Sequence, residues 1–264
     1  AEYEAALQAR PYDVPVLLGL ARAHLSAALE RAARGGTAES LGALNDARAV
    51  TDRAIDLCRY LPDGAELLGR ATLAEAHLRD DERGALAKRA EAQFVAALRD
   101  GAQNVAELFV LAAECRTLIG DDNGAEAFLA RAVAQDPSAS SGWEAFLAFA
   151  GRTHRFERLA RAFERAIPRA EQQGDSDRAG RLMAWRARSY LLQGQPFAEV
   201  AAAFERALSI SPNTAEIWED YAAAARLAGE ESRFAESVRN VACELPHVGA
   251  VRTAFSDRPA EAAA

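Results

Sequence analysis

The side chains of this chain that could hold a metal ion or act as a nucleophile are few and widely separated. Its histidines and cysteines are His24, His77, His154, His247, Cys58, Cys115 and Cys243. None of them forms the HxxxH, HExxH or CxxC spacing that brings two metal ligands together on a helix face or in a turn. The pattern predicts no metal site. It favours packing roles for His24 and His77 and buried apolar roles for the cysteines.

Paired aspartates are the other candidates for chemistry. Asp80-Asp81 and Asp121-Asp122 lie where turns are expected, and an aspartate there caps the helix that follows. A calcium loop would need further oxygen ligands at alternating positions, and the sequence lacks them. It also has no P-loop, no GxSxG elbow and no GxGxxG after a strand. We therefore predict that the chain is not an enzyme and has no catalytic, cofactor-binding or metal-binding residues.

The composition indicates which elements position these residues. Half of the 264 residues are apolar but only 7% are aromatic, because alanine makes up about a quarter of the chain. Alanine is the strongest helix former, whereas a β-rich domain would need more Val, Ile, Thr and aromatic residues. The composition therefore predicts an all-α fold.

The charge of the chain limits its partners. Its 31 basic and 39 acidic residues give a net charge of −8. Such a chain is a poor non-specific ligand for nucleic acids or anionic membranes, because both attract a cationic face. No stretch approaches the roughly 18 apolar residues of a membrane span. All basic residues except Lys88 are arginines, a bias typical of GC-rich bacterial genomes.

Three segments of the chain end in the same way. Each places an alanine three residues after a leucine or an aromatic residue, and a proline five residues after that alanine. The segments are AEYEAALQARP at 1–11, FLARAVAQDP at 128–137 and AFERALSISP at 203–212. Pro137 and Pro212 are each followed six residues later by a tryptophan, Trp143 and Trp218. This pattern resembles the tetratricopeptide repeat (TPR), a helix-turn-helix unit of 34 residues, and the segment 143–167 also resembles its half-a-TPR variant.

The resemblance implies an all-α, right-handed superhelical α-solenoid of antiparallel helix pairs. In such a stack we expect small residues, such as Ala150 and Ala207, where helices cross closely and large ones, such as Trp143, in the spaces between. The best-phased units begin near Ala106, Ser140, Arg181 and Ala215. The spacing between the second and third units is longer than the other two, and we assign the difference to an insertion at 171–180 that lengthens a turn.

The resemblance also divides the chain into parts, with six helix pairs preceded by a lone second helix. The expected parts are an unpaired second helix at 1–10, degenerate pairs with longer turns near 34–36 and 80–81 at 11–105, well-phased repeats at 106–246 and a fraying tail at 247–264. Because the helix at 1–10 lacks its partner, we expect either that the native protein continues upstream or that this helix docks on another surface.

In this family the first helices of the pairs line a groove that binds partners. The phase of the repeats predicts the partner-binding residues Glu107, Glu114, Glu144, Trp185, Ser189, Glu216 and Glu219, with Val110, Ala148, Leu182 and Ala223 beside them. Members that clamp a C-terminal carboxylate use Lys, Asn and Arg there, and this predicted set contains none of them. An acidic groove with a tryptophan anchor favours a basic or mixed apolar protein segment. Solvated acids beside a partly buried tryptophan are the alternative interpretation.

Six arginines form a basic patch within the repeat unit that begins near Ser140. They are Arg152, Arg155, Arg158, Arg161, Arg165 and Arg169, and their spacings of three and four residues place most of them on one helix face. The interleaved Glu157 and Glu164 favour a solvated outer face with internal ion pairs. An acidic partner or an RNA contact is the alternative.

These observations favour a scaffold or adaptor that binds a partner protein, or that packs as a subunit in a larger assembly, without a cofactor. Two alternatives stay open: a regulatory or recruiting domain of a larger enzyme, and a periplasmic TPR protein of envelope biogenesis. We predict a cytoplasmic location. The periplasm stays open because the sequence does not begin with methionine.

Overall fold

The computed structural model describes residues 2–244, with side chains described through residue 240. These residues form the helices α1 (Glu2–Ala9), α2 (Val14–Ala33), α3 (Thr37–Leu57), α4 (Pro62–Leu78), α5 (Arg83–Arg99), α6 (Val105–Ile119), α7 (Asp122–Gln135), α8 (Ser140–Thr153), α9 (Glu157–Gln172), α10 (Ser176–Leu192), α11 (Phe197–Ile210), α12 (Ala215–Ala228) and α13 (Glu231–Glu244). Residues 2–244 contain no strand, so the predicted all-α fold is confirmed. The predicted tail at 247–264, with His247, lies outside the described residues, as does the side chain of Cys243.

The helices belong to two compact units, one ending at Asp136 and the other beginning at Pro137. In the first unit α1 packs on α2, and the pairs are α2 with α3, α4 with α5, and α6 with α7. In the second unit the pairs are α8 with α9, α10 with α11, and α12 with α13. Connections of two to four residues join the two helices of each pair. Such short connections force packed neighbours to run antiparallel, which confirms the predicted helix pairs.

The extra residues of the irregular repeats lie in helices rather than in turns. The helices α2 and α3 have 20 and 21 residues, and only residues 34–36 separate them. Within the predicted insertion at 171–180, α9 continues to Gln172 and α10 begins at Ser176. The expectation of longer turns at these two places is therefore wrong.

Local capping explains where α9 and α10 meet. Gly174 has a φ of +70°, a left-handed conformation that glycine adopts easily and that ends α9. The carboxylate of Asp175 then accepts a hydrogen bond from the backbone N–H of Arg178 at 3.0 Å, which caps α10. A polar, glycine-containing segment is thus compatible with two helices separated by three residues.

Tryptophan and proline are linked in both repeats where they lie six residues apart. The indole Nε1–H of Trp143 donates to the carbonyl oxygen of Pro137 at 3.1 Å. In the same way, Trp218 Nε1–H donates to the carbonyl oxygen of Pro212 at 2.9 Å. Both rings are buried, so each bond satisfies an indole N–H that would otherwise be buried without a partner. The six-residue spacing in the sequence therefore has a structural cause.

The cores combine large aromatic rings with small residues at the helix crossings. In the second unit Trp143 and Phe163 are fully buried and stack with a centroid distance of 4.7 Å. Ala150 and Ala207 are also fully buried, as the repeat pattern predicts for positions where helices approach closely. No helix within residues 2–244 is long and apolar enough to cross a membrane.

Candidate partner-binding site

A cavity of about 410 Å³ lies among the first helices of the second unit. The helix α10 contributes Arg181, Trp185 and Arg188, which are four and three residues apart and so share one helix face. From α12 come Glu216, Glu219 and Asp220, and from α8 comes Glu144. The cavity therefore brings together Glu144, Trp185, Glu216 and Glu219 of the predicted groove residues.

Opposite charges face each other across this cavity. The Nη1 atom of Arg181 lies 3.7 Å from Glu216 Oε2, and Nη1 of Arg188 lies 3.5 Å from Asp220 Oδ1. Both distances exceed those of a well-formed charged hydrogen bond, so these ion pairs hold α10 and α12 together only loosely. Glu144 and Glu219 have no ion-pair partner among the described residues. The cavity therefore carries four carboxylates against two guanidinium groups.

Asp220 is a cavity acid whose charged form is disfavoured by burial. Burial raises the pKa of Asp220 above the ordinary value of 3.8. Arg188 lowers this pKa, and smaller contributions from the charges of Glu144 and Glu219 raise it. A carboxylate with a raised pKa is one whose negative charge is poorly compensated. A cation that entered the cavity would therefore be stabilised.

Two residues predicted to face the groove are buried instead. The side chain of Ser189 is buried, and its hydroxyl donates to the carbonyl oxygen of Arg186 at 2.6 Å. Leu182 is fully buried as well. The reason is that α10 packs against α8, α9, α11 and α12, which leaves only a narrow face exposed. The side chain of Ser189 therefore does not face the cavity, unlike the direction that the repeat phase predicted.

Trp185 forms part of the cavity floor rather than a free anchor. Only 7% of the residue is exposed. Its ring stacks on that of Trp143 with a centroid distance of 5.9 Å. A partner can therefore touch one edge of Trp185, and replacing this side chain would also disturb the core.

The cavity contains arginines that the predicted groove set did not include. Arg181 and Arg188 both line it, so the expectation of a groove without arginine is wrong. Asp220 also lies outside the predicted set. The helical spacing of Arg181, Trp185 and Arg188 is the feature of the sequence that could have placed all three on one face.

In the first unit the predicted groove acids are engaged with the preceding first helix. Glu107 Oε1 accepts a hydrogen bond from Arg70 Nη2 at 2.5 Å, and this contact lowers the pKa of Glu107. Glu114 Oε1 lies 2.7 Å from His77 Nε2. The side chain of His77 is 47% exposed, so its contact with Glu114 replaces the packing role that the sequence favoured. These two ion pairs connect α4 to α6, and they make Glu107 and Glu114 less available than the cavity acids.

The contact between His77 and Glu114 predicts a measurable titration. The hydrogen bond that His77 donates to the Glu114 carboxylate raises the pKa of His77 above 6.5. Because the folded pKa is raised, this pair stabilises the fold fully below the unfolded pKa, and the stabilisation is lost as the pH rises through the folded pKa. In an NMR titration of the imidazole protons, Glu114→Gln should lower the pKa of His77. Glu107→Gln, which removes the neighbouring acid, should leave it nearly unchanged. An unaltered titration in the Glu114→Gln variant would mean that the two side chains do not pair in solution.

Among the described residues, no three or more His, Cys, Asp or Glu side chains are grouped so that they could hold a metal ion. Burial raises the pKa of the Cys115 thiol to about 12. A thiol with such a pKa is almost entirely protonated at neutral pH and is a poor nucleophile. Cys115 therefore packs as a small apolar residue, as the sequence predicts.

No protein-family model matches the sequence, and no curated protein matches it. Among solved structures, the chain is similar to YrrB, a TPR protein with an unusual peptide-binding site, at 14% identity over 97% of this chain and 98% of that one, with a TM-score of 0.43. It is also similar to a TPR protein from Parabacteroides merdae, at 15% identity over 86% and 80% of the two chains, with a TM-score of 0.42. PilF of Pseudomonas aeruginosa is similar at 14% identity over 91% and 98%, with a TM-score of 0.40.

The architecture of this chain is assigned from its helices and from the contacts between them. Antiparallel pairs follow one another in both units. Buried alanines lie at the expected crossings, and the bond from tryptophan to proline recurs with the same spacing. The chain is therefore an all-α array of tetratricopeptide-like helix pairs, as its repeat pattern predicted.

Proposed function

We propose that this chain is a scaffold or adaptor that binds a segment of a partner protein in the cavity among α8, α10 and α12, without catalysing a reaction. The observation that carries this proposal is a cavity of about 410 Å³ whose walls belong to three consecutive first helices. Helices held by their own pair partners form a preorganised wall, which lowers the entropy lost when a partner binds.

The charges of the cavity favour a partner segment with basic residues among apolar ones. Glu144 and Glu219 have no ion-pair partner among the described residues, and the raised pKa of Asp220 reflects burial near both of them. A lysine or arginine of the partner would neutralise this excess, and its aliphatic stem would contact the exposed edge of Trp185. Arg181 and Arg188 would then contact acidic or carbonyl groups of the same segment.

Charge reversal in the cavity tests the proposal. The immobilised chain and a Glu144→Arg/Glu219→Arg variant would be used to capture proteins from an extract of the source organism, with quantification by mass spectrometry. We expect at least one protein to be captured by the wild-type chain and to fall at least tenfold with the variant. Both substituted residues are exposed, so folding should be preserved, and circular dichroism would check this.

The matched control reverses two exposed glutamates of the second helices, Glu199→Arg/Glu236→Arg. This control changes the net charge by the same amount but leaves the cavity intact, so it should capture the same partner as the wild-type chain. A set of captured proteins that does not respond to reversal of Glu144 and Glu219 would contradict the cavity model. The cytoplasmic location stays a prediction, to be tested by fractionating cells that express the full gene.

A further inference from the structure

The helix α9 carries a row of arginines on its exposed side. Arg158, Arg161, Arg165 and Arg169 are all exposed. Their spacings of three, four and four residues keep them on one side of the helix. At a rise of about 1.5 Å per residue the row is about 16 Å long. None of these residues lines the cavity described above.

Ion pairs within α9 neutralise only part of this row. Arg161 Nη2 lies 3.5 Å from Glu157 Oε2, and the two side chains are 65% and 89% exposed. A pair with this exposure is weak. Arg165 and Arg169 have no ion-pair partner among the described residues. The expected pattern of internal ion pairs therefore does not account for the C-terminal half of the row.

A second row lies beside the arginines. Glu157, Glu164 and Glu171 are seven residues apart, so they form their own row along the same helix. A partner must therefore offer negative charge to one row and must avoid placing it on the other. The two rows therefore suit a partner whose negative charges repeat at fixed intervals along one face better than a partner that is uniformly negative.

Single-stranded RNA fits this surface poorly. Its phosphates are uniformly negative and would meet the glutamate row as well as the arginine row. Nucleic acids without a fixed structure are also held by stacking on exposed aromatic rings. The aromatic residue within α9, Phe163, is fully buried. The net charge of −8 also repels the negatively charged RNA at longer range.

We infer that the exposed side of α9 docks an acidic helical segment of a partner protein. The segment presents carboxylates every three or four residues along one face, so that successive carboxylates meet Arg158, Arg161, Arg165 and Arg169. This surface is separate from the cavity, and docking on it does not depend on the proposed function of the cavity. Two surfaces of opposite charge would allow the second unit to hold two partner segments at once.

A pair of synthetic peptides tests this inference. Both are alanine-based, about 20 residues long and therefore able to form helices in water. In the first peptide the glutamates occupy one face at every fourth position, and in the second the same glutamates are spread around the helix. Binding would be measured by fluorescence anisotropy at an ionic strength of about 25 mM, where exposed charges are weakly screened. We expect the first peptide to bind at least tenfold more tightly than the second.

Variants locate the binding surface. Arg161→Glu/Arg165→Glu should weaken binding of the first peptide at least tenfold, and Arg165→Gln/Arg169→Gln should weaken it less. The charge-matched control Arg206→Glu/Arg239→Glu changes exposed arginines on other helices and should bind like the wild-type chain. Equal binding of both peptides, no binding of the first, or equal effects of the row and control variants would overturn the inference. Tighter binding of polyuridylic acid than of the first peptide would overturn it in favour of nucleic acid.

Discussion

Replacing Trp143 by alanine is expected to lower the free energy of unfolding of the second unit by about 3–5 kcal/mol. The ring is fully buried and stacks on Phe163 and Trp185 at centroid distances of 4.7 and 5.9 Å. Alanine would leave a cavity between these rings and would also remove the donor that satisfies the carbonyl of Pro137. Urea denaturation can measure the loss, with the fluorescence of Trp185 and Trp218 as the probe.

A conservative variant separates the two contributions of Trp143. Phenylalanine keeps a ring in the stack but has no N–H to donate to Pro137. We expect Trp143→Phe to cost about 1–3 kcal/mol, which is less than the alanine variant. If the phenylalanine and alanine variants were equally unstable, stacking would contribute little and the hydrogen bond would dominate. A Trp143→Ala variant as stable as the wild-type chain would contradict the burial of this ring.

Replacing Glu75 by glutamine is expected to cost about 3 kcal/mol in the first unit, because it leaves the charge of Arg48 largely buried without its partner. Arg48 of α3 and Glu75 of α4 form an ion pair, and their side chains are only 14% and 10% exposed. Arg48 Nη2 also donates to the carbonyl oxygen of Ala71 at 3.3 Å, and Arg79 Nη1 lies 3.1 Å from Glu75 Oε1. Thermal unfolding followed by circular dichroism is the appropriate measurement, since all three tryptophans belong to the second unit.

The same pair predicts how stability depends on pH. Burial alone would raise the pKa of Glu75, but the hydrogen bonds and charges of Arg48 and Arg79 outweigh it and lower this pKa below 4.5. Because the folded pKa is lowered, the stabilisation is present above the unfolded pKa and is lost as the pH falls through the folded pKa. The difference in stability between the wild-type chain and Glu75→Gln should therefore shrink as the pH falls from the unfolded pKa of Glu75 through its lower folded pKa.

Two further variants control the experiment on Glu75. Arg48→Met/Glu75→Leu removes both charges and should recover most of the lost stability, since apolar residues can replace a buried ion pair. Asp63→Asn breaks an exposed pair with Arg22, whose atoms lie 2.7 Å apart with side chains about half exposed. We expect that change to cost at most about 1 kcal/mol. If Asp63→Asn and Glu75→Gln had the same effect, burial of the Arg48–Glu75 pair would not matter.

Particular residues show what the sequence could predict about the candidate site. The alternation of large and small residues placed Trp143 and Ala207 in the core, and both are buried. The same phase placed Glu144 and Glu219 on the first helices, where both line the cavity. It also placed Ser189 in the groove, although this side chain is buried. The phase of the repeat predicts which side of its own helix a side chain lies on. It does not predict how many other helices pack around that helix, and α10 is surrounded by four.

The sequence by itself determined the helices, their pairing and the recurring six-residue spacing from proline to tryptophan, whose hydrogen bond the structure then showed. These features depend on interactions between residues close in the chain, namely alanine-rich helical periodicity, capping and a fixed spacing of six residues. Only the tertiary structure decided which charges meet. It paired Arg70 with Glu107 and His77 with Glu114, it placed Arg181 and Arg188 in the cavity, and it left Glu144 and Glu219 without ion-pair partners among the described residues. Such contacts join residues more than 30 positions apart, so they follow from the packing of whole helices rather than from any local pattern.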